Sequence, residues 1–235
     1  MKIMTYNVQS GRDAWGQLHL DGTAETINRL SPDICGLNEI RVNCRDSENI
    51  DQAEYLGQKT GMEAHFAKAI PLLDGEYGIG LLSRYPVSEF KVHPVPDVPA
   101  EEREKGYYEN RVIYRAVVKT PDGDVAVFGS HFGLTRPERV YATRLLLSLV
   151  KDETLPVIFM GDLNMEPGDE LIKQISAELT DLNRNPTYLT HHVLNAHNTI
   201  DYIFVRNLDY KPARAFFSCA SDHMPVAAEV FFKKA

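Results

Sequence analysis

The 235-residue sequence contains few cysteines and lacks any long apolar run. Its three cysteines, Cys35, Cys44 and Cys219, are too few for a disulfide framework. None of them belongs to a CxxC pair, so a zinc ribbon has no support. No apolar stretch approaches the roughly 18 residues of a membrane helix, and the opening MKIMTYNV is typical of a strand, not of a signal peptide. These absences predict a reduced, cytoplasmic setting without a membrane span.

Several catalytic signatures are also missing. The sequence has no GxxxxGK[ST] loop, no GxGxxG after a strand and no GxSxG elbow. Phosphoryl transfer driven by a nucleotide, a dinucleotide cofactor and an acyl-transfer serine therefore have no support.

Basic residues are fewer than acidic residues. The chain carries 25 Lys and Arg against 33 Asp and Glu, a net charge of −8. Such a surface does not attract a polyanion at long range, so nucleic acid is a possible partner that the net charge does not favour. A pocket in which a metal ion neutralises phosphate is still compatible with this charge. The composition, 43% hydrophobic and 25% charged, is that of a globular protein, and the length predicts one domain over residues 1–235.

Runs of β-branched and apolar residues alternate with helical patterns along the chain. The runs that predict strands are residues 2–8, 33–40, 78–84, 112–120, 124–132, 155–161, 199–206 and 225–232. Helices are predicted at 22–30, 51–60 and 136–151, with a fourth beginning near Asp169. Asp21 is the expected cap of the first, and Thr135 and Glu138 have the spacing of a capping box. The alternation predicts an α/β protein.

Polar residues follow several of the predicted strands where each strand ends. They are Asn7, Glu39, Asp162 with Asn164, and the run Ser221-Asp222-His223 before the last strand. Rigid scaffolds place functional groups at strand ends, and carboxylate and amide oxygens are the ligands that Mg²⁺ prefers. Each residue alone is more typical of a turn or a cap than of a metal ligand. Together they favour a metal site.

Two of the eight histidines have a candidate partner. Asp201 lies in the apolar run TIDYIFV, where a carboxylate needs a partner, and His223 could provide an N–H. Such a pair orients the imidazole and stabilises its cation, which suits a general base or a phosphate-binding group. Glu76 could serve His131 in the same way. The alternative for Asp201 is a turn cap or a pair with Arg206.

The other basic residues are less specific. Arg111 could bind phosphate oxygens from the start of a strand, but a surface strand position is equally expected. The same two interpretations apply to Arg41, Arg45 and Arg136. The remaining histidines show no spacing of metal ligands and are interpreted as structural: His19, His65, His93, His191, His192 and His197.

Seven short motifs occur in one order along nearly the whole chain. They are TYNV with Asn7, LNE with Glu39, GIGLLSRYP, SHF with His131, GDLN with Asp162 and Asn164, IDYIF with Asp201, and SDHMPV with Asp222 and His223. In this order they resemble the endonuclease/exonuclease/phosphatase superfamily, which has the deoxyribonuclease I-like fold, and small bacterial members of unassigned substrate in particular. The resemblance implies a four-layer α/β/β/α sandwich of two packed mixed β-sheets flanked by helices.

The resemblance also implies roles for these residues. Mg²⁺ or Mn²⁺ would be held chiefly by Glu39 and Asp222. Asp162 and Asn164 would position or activate the attacking water. Asp201 would orient His223 toward the scissile phosphate, and His131 would be a general acid or a phosphate ligand. One departure is Asn38, because the family usually has Gln before the metal-binding glutamate.

The function expected from these observations is metal-dependent hydrolysis of a small or lipid-derived phosphodiester. A nuclease would carry the same motifs and is the alternative within enzymes. An alternative of another class is a binding module that kept the fold without activity. The segments 41–52 and 93–110, the second rich in Pro and charge, are expected to border the substrate pocket.

Overall fold

The structure is a computed structural model that describes residues 1–183 and 189–233. Its strands are β1 (Lys2–Asn7), β2 (Ile34–Val42), β3 (Glu63–Leu72), β4 (Gly75–Ser83), β5 (Val87–Pro94), β6 (Val112–Thr120), β7 (Gly123–His131), β8 (Val157–Asp162), β9 (Thr180–Asp181), β10 (Asp201–Arg206), β11 (Leu208–Tyr210), β12 (Arg214–Ala215) and β13 (Val226–Phe232). Its helices are α1 (Leu20–Leu30), α2 (Gln52–Thr60), α3 (Arg136–Lys151) and α4 (Glu170–Glu178). None of these helices is long and apolar enough to cross a membrane.

The strands form two mixed sheets. The first has the order β11-β13-β1-β2-β4-β3, with β12 beside β13, and the second has the order β5-β6-β7-β8-β10-β9. Each sheet contains one parallel pair, β1 with β2 and β7 with β8. A parallel pair needs a crossover connection, which α1 provides in the first sheet and α3 in the second.

The two sheets pack face to face over a shared apolar core. Ile3 and Leu81 from the first sheet and Tyr114 and Ile158 from the second are buried in one cluster. A second cluster packs α3 and α4 on the outer face of their sheet, and a third packs α1 and α2 on the other sheet. The predicted four-layer α/β/β/α sandwich is thereby confirmed.

Close packing between the sheets depends in part on Gly36 in β2. A Cβ added there would lie 3.1 Å from the Cγ and Sδ atoms of Met160 in β8 and 3.2 Å from the Tyr114 hydroxyl. These distances are tighter than ordinary contacts between carbon atoms. Glycine therefore allows the side chain of Met160 to approach the backbone of the opposite sheet.

Most predicted helix ends agree with the structure. Asp51 Oδ1 accepts a hydrogen bond of 3.0 Å from Glu54 N at the start of α2. Glu138 accepts from the backbone N–H of Thr135 at 3.0 Å, as its capping-box spacing predicts. The prediction that Asp21 caps α1 is wrong, because α1 begins at Leu20 and the Asp21 carboxylate accepts a hydrogen bond from the Tyr55 hydroxyl instead.

The strands that the sequence did not predict are β3, β5, β9, β11 and β12. β3 and β5 are edge strands with mixed exposure, so neither shows a clear alternation of buried and exposed residues. The last three contain only two or three residues each. The end of β5 also takes in the first two residues of the predicted loop 93–110.

Candidate active site

Strand ends bring the predicted polar residues together at one edge of the sandwich. In the second sheet, Asp162 lies opposite both His131 and Asp201 in the register of the neighbouring strands. In the first sheet, Asn7 at the end of β1 lies opposite Asn38 in β2. A hydrogen bond of 3.0 Å from Asn7 Nδ2 to Asp162 Oδ2 joins the two sets across the sheets.

Glu39 is placed by a β-bulge inside β2. The pairing of β2 with β4 shifts register between Leu37 and Ile40, and Glu39 has a φ of 61°. The prediction that the strand ends at Glu39 is wrong, because β2 continues to Val42. A bulge re-aims a side chain without ending the strand. Here Glu39 Oε1 accepts a hydrogen bond of 2.9 Å from Asn7 Nδ2.

Asn38, the departure from the family pattern, connects the two sheets. Its Nδ2 donates to the Ser130 carbonyl at 3.0 Å, and its Oδ1 accepts from the Asp162 N–H at 3.1 Å. Both bonds are buried, so each satisfies a backbone group that has no access to water. The side chain thereby holds the Asp162 backbone in a defined position relative to β2.

His223 and Asp201 form a buried hydrogen-bonded pair. The His223 Nδ1 atom lies 2.9 Å from Asp201 Oδ2, and both side chains are almost fully buried. Burial opposes a charged ring, but the adjacent Asp201 carboxylate outweighs it and raises the pKa of His223 to about 10. The alternative pairing of Asp201 with Arg206 is wrong, because Arg206 Nη2 donates to the Glu153 carbonyl at 2.6 Å.

The Asp162 carboxylate lies between two imidazole rings. Its Oδ2 is 3.6 Å from His131 Nε2 and 3.7 Å from His223 Nε2. Burial raises the pKa of Asp162, and the negative charge of Asp201 raises it further. Its Oδ1 accepts a hydrogen bond of 2.9 Å from the backbone N–H of Asn164, which has a φ of 51°. The tight turn after β8 thus packs Asn164 against the carboxylate.

His131 is buried against Arg111 and not against Glu76. Arg111 Nη1 lies 3.1 Å from His131 Nδ1, and Asn164 Nδ2 lies 3.2 Å from His131 Nε2. Burial and the positive charge of Arg111 lower the pKa of His131 well below its usual range. Glu76 instead accepts an exposed hydrogen bond of 2.7 Å from Lys68 Nζ, so the predicted Glu76–His131 pair is wrong.

Glu39 and Asp222 offer oxygen donors for a metal ion. Burial raises the pKa of Glu39, and the charge of Asp222 contributes to that rise. Burial would also raise the pKa of Asp222, but the adjacent His191 ring and the charge of His223 lower it. Two neighbouring carboxylates repel each other, and a divalent cation between them removes the repulsion. The donor set fits Mg²⁺ or Mn²⁺, which prefer carboxylate oxygen.

Histidine and carboxylate groups also cluster beside this pair. Two overlapping sets have ligand atoms within 4.8 Å of one another: His191, Asp222 and His223, and Asp162, Asp201 and His223. The first set includes His191, which the sequence did not predict at the site. Its ring centroid is 4.6 Å from that of His223, and its Nε2 is 3.8 Å from Asp222 Oδ2. No local pattern identifies it, because its partners lie some thirty residues further along the chain.

Three other arginines considered as phosphate ligands pair with carboxylates in loops or at a helix end. Arg41 pairs with Asp46, Arg45 Nε lies 3.0 Å from Asp74 Oδ2, and Arg136 Nη1 lies 4.0 Å from Asp169 Oδ1. Arg111 is therefore the arginine of this group that the structure brings into contact with a predicted site residue.

The structure thus brings a buried set of carboxylates, amides and histidines together at the edge of a two-sheet sandwich. The family model described as "Endonuclease/Exonuclease/phosphatase family" matches residues 4–223, and the chain belongs to this family. Family members are hydrolases that act on phosphate esters and generally depend on a divalent metal.

Solved structures share the fold. A functionally unknown conserved protein from Enterococcus faecalis V583 is 19% identical, with a TM-score of 0.82 over 99% of this chain and 100% of that one. An endonuclease/exonuclease/phosphatase from Beutenbergia cavernae is 21% identical, with a TM-score of 0.80 over 100% and 72%. A mannosyl-6-phosphatase from Bacteroides thetaiotaomicron is 19% identical, with a TM-score of 0.78 over 99% and 100%. No curated protein sequence matches the chain.

Proposed function

We propose that this protein is a divalent-metal-dependent phosphoesterase that hydrolyses a small or lipid-derived phosphodiester. The observation that carries the proposal is the position of the Asp162 carboxylate, 3.6 Å and 3.7 Å from the rings of His131 and His223. A buried carboxylate with a raised pKa can take a proton from water, and a nearby imidazolium can stabilise charge on phosphate.

The metal would be Mg²⁺ or Mn²⁺ bound by Glu39 and Asp222. When bound, such an ion makes water easier to deprotonate and neutralises phosphate charge. Asn7 supports this arrangement, because its amide donates to Glu39 at 2.9 Å and to Asp162 at 3.0 Å. It therefore holds one metal ligand and the general base at a fixed separation.

The remaining steps of the reaction are assigned to side chains of the protein. Asp162 accepts a proton from the attacking water, whose oxygen bonds to phosphorus as the P–O bond to the leaving group breaks. His223, kept protonated by Asp201, donates to a phosphate oxygen and stabilises the charge that develops there. Asn164 donates its amide to the phosphate or the water. His131 either protonates the leaving oxygen or binds a phosphate oxygen.

The preference for a small or lipid-derived substrate rests on charge. The net charge of −8 opposes the approach of a polyanion. The same motifs would serve a nuclease, and the likeness to a sugar phosphatase adds sugar phosphates to the substrates worth testing. The segments 41–52 and 93–110 are proposed to select among these substrates.

The test is a panel of phosphate esters assayed with Mg²⁺, with Mn²⁺ and after EDTA. The panel contains bis-p-nitrophenyl phosphate, p-nitrophenyl phosphate, a sugar phosphate, lipid head-group diesters and DNA. Asp162→Asn should reduce kcat by at least ~10²-fold. Glu76→Gln is the control, because the Glu76 carboxylate pairs with Lys68 and not with His131. Binding without turnover by the intact chain would favour a non-catalytic module, and salt-sensitive hydrolysis of DNA alone would favour a nuclease.

A further inference from the structure

Arg111 is a buried cation that touches a site residue, although it is placed before β6 and not at the end of a strand. The residue is 8% exposed. Its Nη1 atom lies 3.1 Å from His131 Nδ1 and 3.1 Å from Glu109 Oε1. Tyr77, Arg111 and His131 line one small cavity. The Nη1 atom therefore forms a hydrogen bond with the imidazole and an ion pair with the carboxylate.

The contact between Arg111 and His131 determines which ring nitrogen carries the proton. A guanidinium has only donors and does not lose its proton in proteins, so the nitrogen that it contacts must accept. A neutral imidazole has one N–H and one acceptor nitrogen. If Nδ1 of His131 accepts from Arg111, the ring hydrogen must lie on Nε2, the nitrogen that is 3.6 Å from Asp162 Oδ2.

A competing donor contacts the other nitrogen of the same ring. Asn164 Nδ2 lies 3.2 Å from His131 Nε2, and it also donates to the Phe132 carbonyl at 2.9 Å. A neutral ring cannot accept at both nitrogens. The charged donor forms the stronger hydrogen bond, so the contact with Arg111 prevails. One amide hydrogen of Asn164 then stays on Phe132, and the second is available to a phosphate oxygen or to water.

We propose that Arg111 is a positioning residue that holds His131 as the neutral Nε2–H tautomer, so that His131 donates a hydrogen bond to a phosphate oxygen. The two site histidines then differ in their charge. Nδ1 of His223 donates to the Asp201 carboxylate, which favours a cationic ring, whereas Nδ1 of His131 accepts from a cation, which favours a neutral ring. A neutral imidazole is a poor acid, so His131 is assigned as the phosphate ligand and not as the acid for the leaving group.

The tautomer can be measured without any assay of activity. Long-range proton–nitrogen NMR spectra of the ¹⁵N-labelled full chain distinguish a protonated from an unprotonated ring nitrogen, and loss of one ring signal set in His131→Gln assigns the residue. We expect His131 to show an unprotonated Nδ1 and a protonated Nε2 near neutral pH. Arg111→Lys should keep this tautomer, because an ammonium also donates. Arg111→Met should allow Asn164 to donate to Nε2 and move the ring hydrogen to Nδ1.

Arg115→Met is the matched control for loss of a partly buried arginine. Arg115 lies in β6 near Arg111 and pairs with Glu89 at 2.7 Å and Glu153 at 2.6 Å, away from the site. This variant should leave the His131 signals unchanged. If Arg111→Met does not fold, the spectra of the unmodified protein and Arg111→Lys still decide the tautomer. A protonated Nδ1 in the unmodified protein would overturn the proposal.

The catalytic part of this inference rests on the proposed function, and kinetics on the best ester of the panel test it separately. Arg111→Met should lower kcat by about 10²-fold, because a wrong tautomer removes a hydrogen bond made in the transition state. Arg111→Lys should recover part of that loss. A rise in KM alone, with the His131 tautomer unchanged in Arg111→Met, would show that Arg111 binds phosphate and does not position the ring. If no ester is hydrolysed, the proposed function fails while the NMR result still stands.

Discussion

Replacing Asp201 with Asn tests whether the charge of His223 takes part in the reaction. The substitution keeps the shape of the side chain but removes the negative charge that lies 2.9 Å from His223 Nδ1. The ring then loses its nearest counter-charge, and the Asp162 carboxylate, 3.7 Å from His223 Nε2, is left beside it. Because burial disfavours the protonated imidazole, we expect the pKa of the ring to fall.

The effect of the Asp201 charge can be estimated from the pKa of His223. In the folded protein the pKa of His223 is about 10, against an ordinary value of 6.5. The difference corresponds to about 5 kcal/mol that favours the protonated ring. Burial acts in the opposite direction, so removal of the Asp201 charge should lower the pKa of His223, while the charges of Asp162 and Asp222 still raise it.

The assay is the dependence of kcat/KM on pH between about 6 and 10, which reports the groups that titrate in the free enzyme. If protonated His223 is required, activity persists up to the high pKa of the ring and falls as the ring loses its proton. In Asp201→Asn this alkaline limb should move to lower pH. NMR titration of the His223 ring measures the same shift directly.

A double-mutant cycle separates pairing from mere proximity. If Asp201 acts through His223, then Asp201→Asn, His223→Ala and the double variant should have similar residual kcat/KM. Arg206→Met is the control for the rejected pairing and should leave the alkaline limb in place, since Arg206 binds the Glu153 carbonyl. Additive losses, or an alkaline limb that does not move in Asp201→Asn, would refute the reasoning.

Other perturbations test the remaining parts of the site. Glu39→Gln should weaken Mg²⁺ binding measured by calorimetry, and full activity after exhaustive metal removal would contradict the metal assignment. Asp162→Asn should reduce kcat by at least ~10² if this carboxylate is the general base, and near-normal kcat would exclude that role. Exchange of segments 41–52 or 93–110 with those of a relative should change the substrate ranking while metal affinity stays the same. If the parent ranking persists, the pocket lies elsewhere. Asn38→Ala should lower the free energy of unfolding by about 2–4 kcal/mol, because two buried backbone groups lose their partners. A melting curve unchanged by this substitution would show that the bridge between the sheets is dispensable.

The sandwich was predictable because each buried strand carries its own signal. Apolar runs such as VIFM in β8 need no distant information, and the polar residues that follow them mark strand ends directly. Asp162, at the end of β8, and His223, shortly before β13, were therefore selected as candidate site residues from local sequence pattern alone. The predicted partner of His223 was also found, because Asp201 is a carboxylate at the start of an otherwise apolar strand.

The remaining features depend on contacts that no local pattern records. The bulge at Glu39 arises from the register between β2 and β4, which a sequence window does not contain. Glu76 was paired with His131 by analogy with the Asp201–His223 pair, but Lys68 on the neighbouring strand donates a hydrogen bond to the Glu76 carboxylate. The sequence around Arg111 is that of an ordinary strand flank. Only the fold shows that the Arg111 guanidinium contacts the imidazole ring of His131.

The approach of Met160 to Gly36 links the thickness of the core to the reaction. Gly36 is two residues before Asn38 on β2, and Met160 is two residues before Asp162 on β8. A methyl group at Gly36 would require the side chains of Met160 and Tyr114 to shift by a few tenths of an ångström. If the tightly packed core passes that shift on to β8, the two hydrogen bonds of Asn38 stretch with it. Selection for turnover would therefore also act on apolar side chains that never meet the substrate. In a library of variants, this position should behave like a functional residue although it carries no functional group.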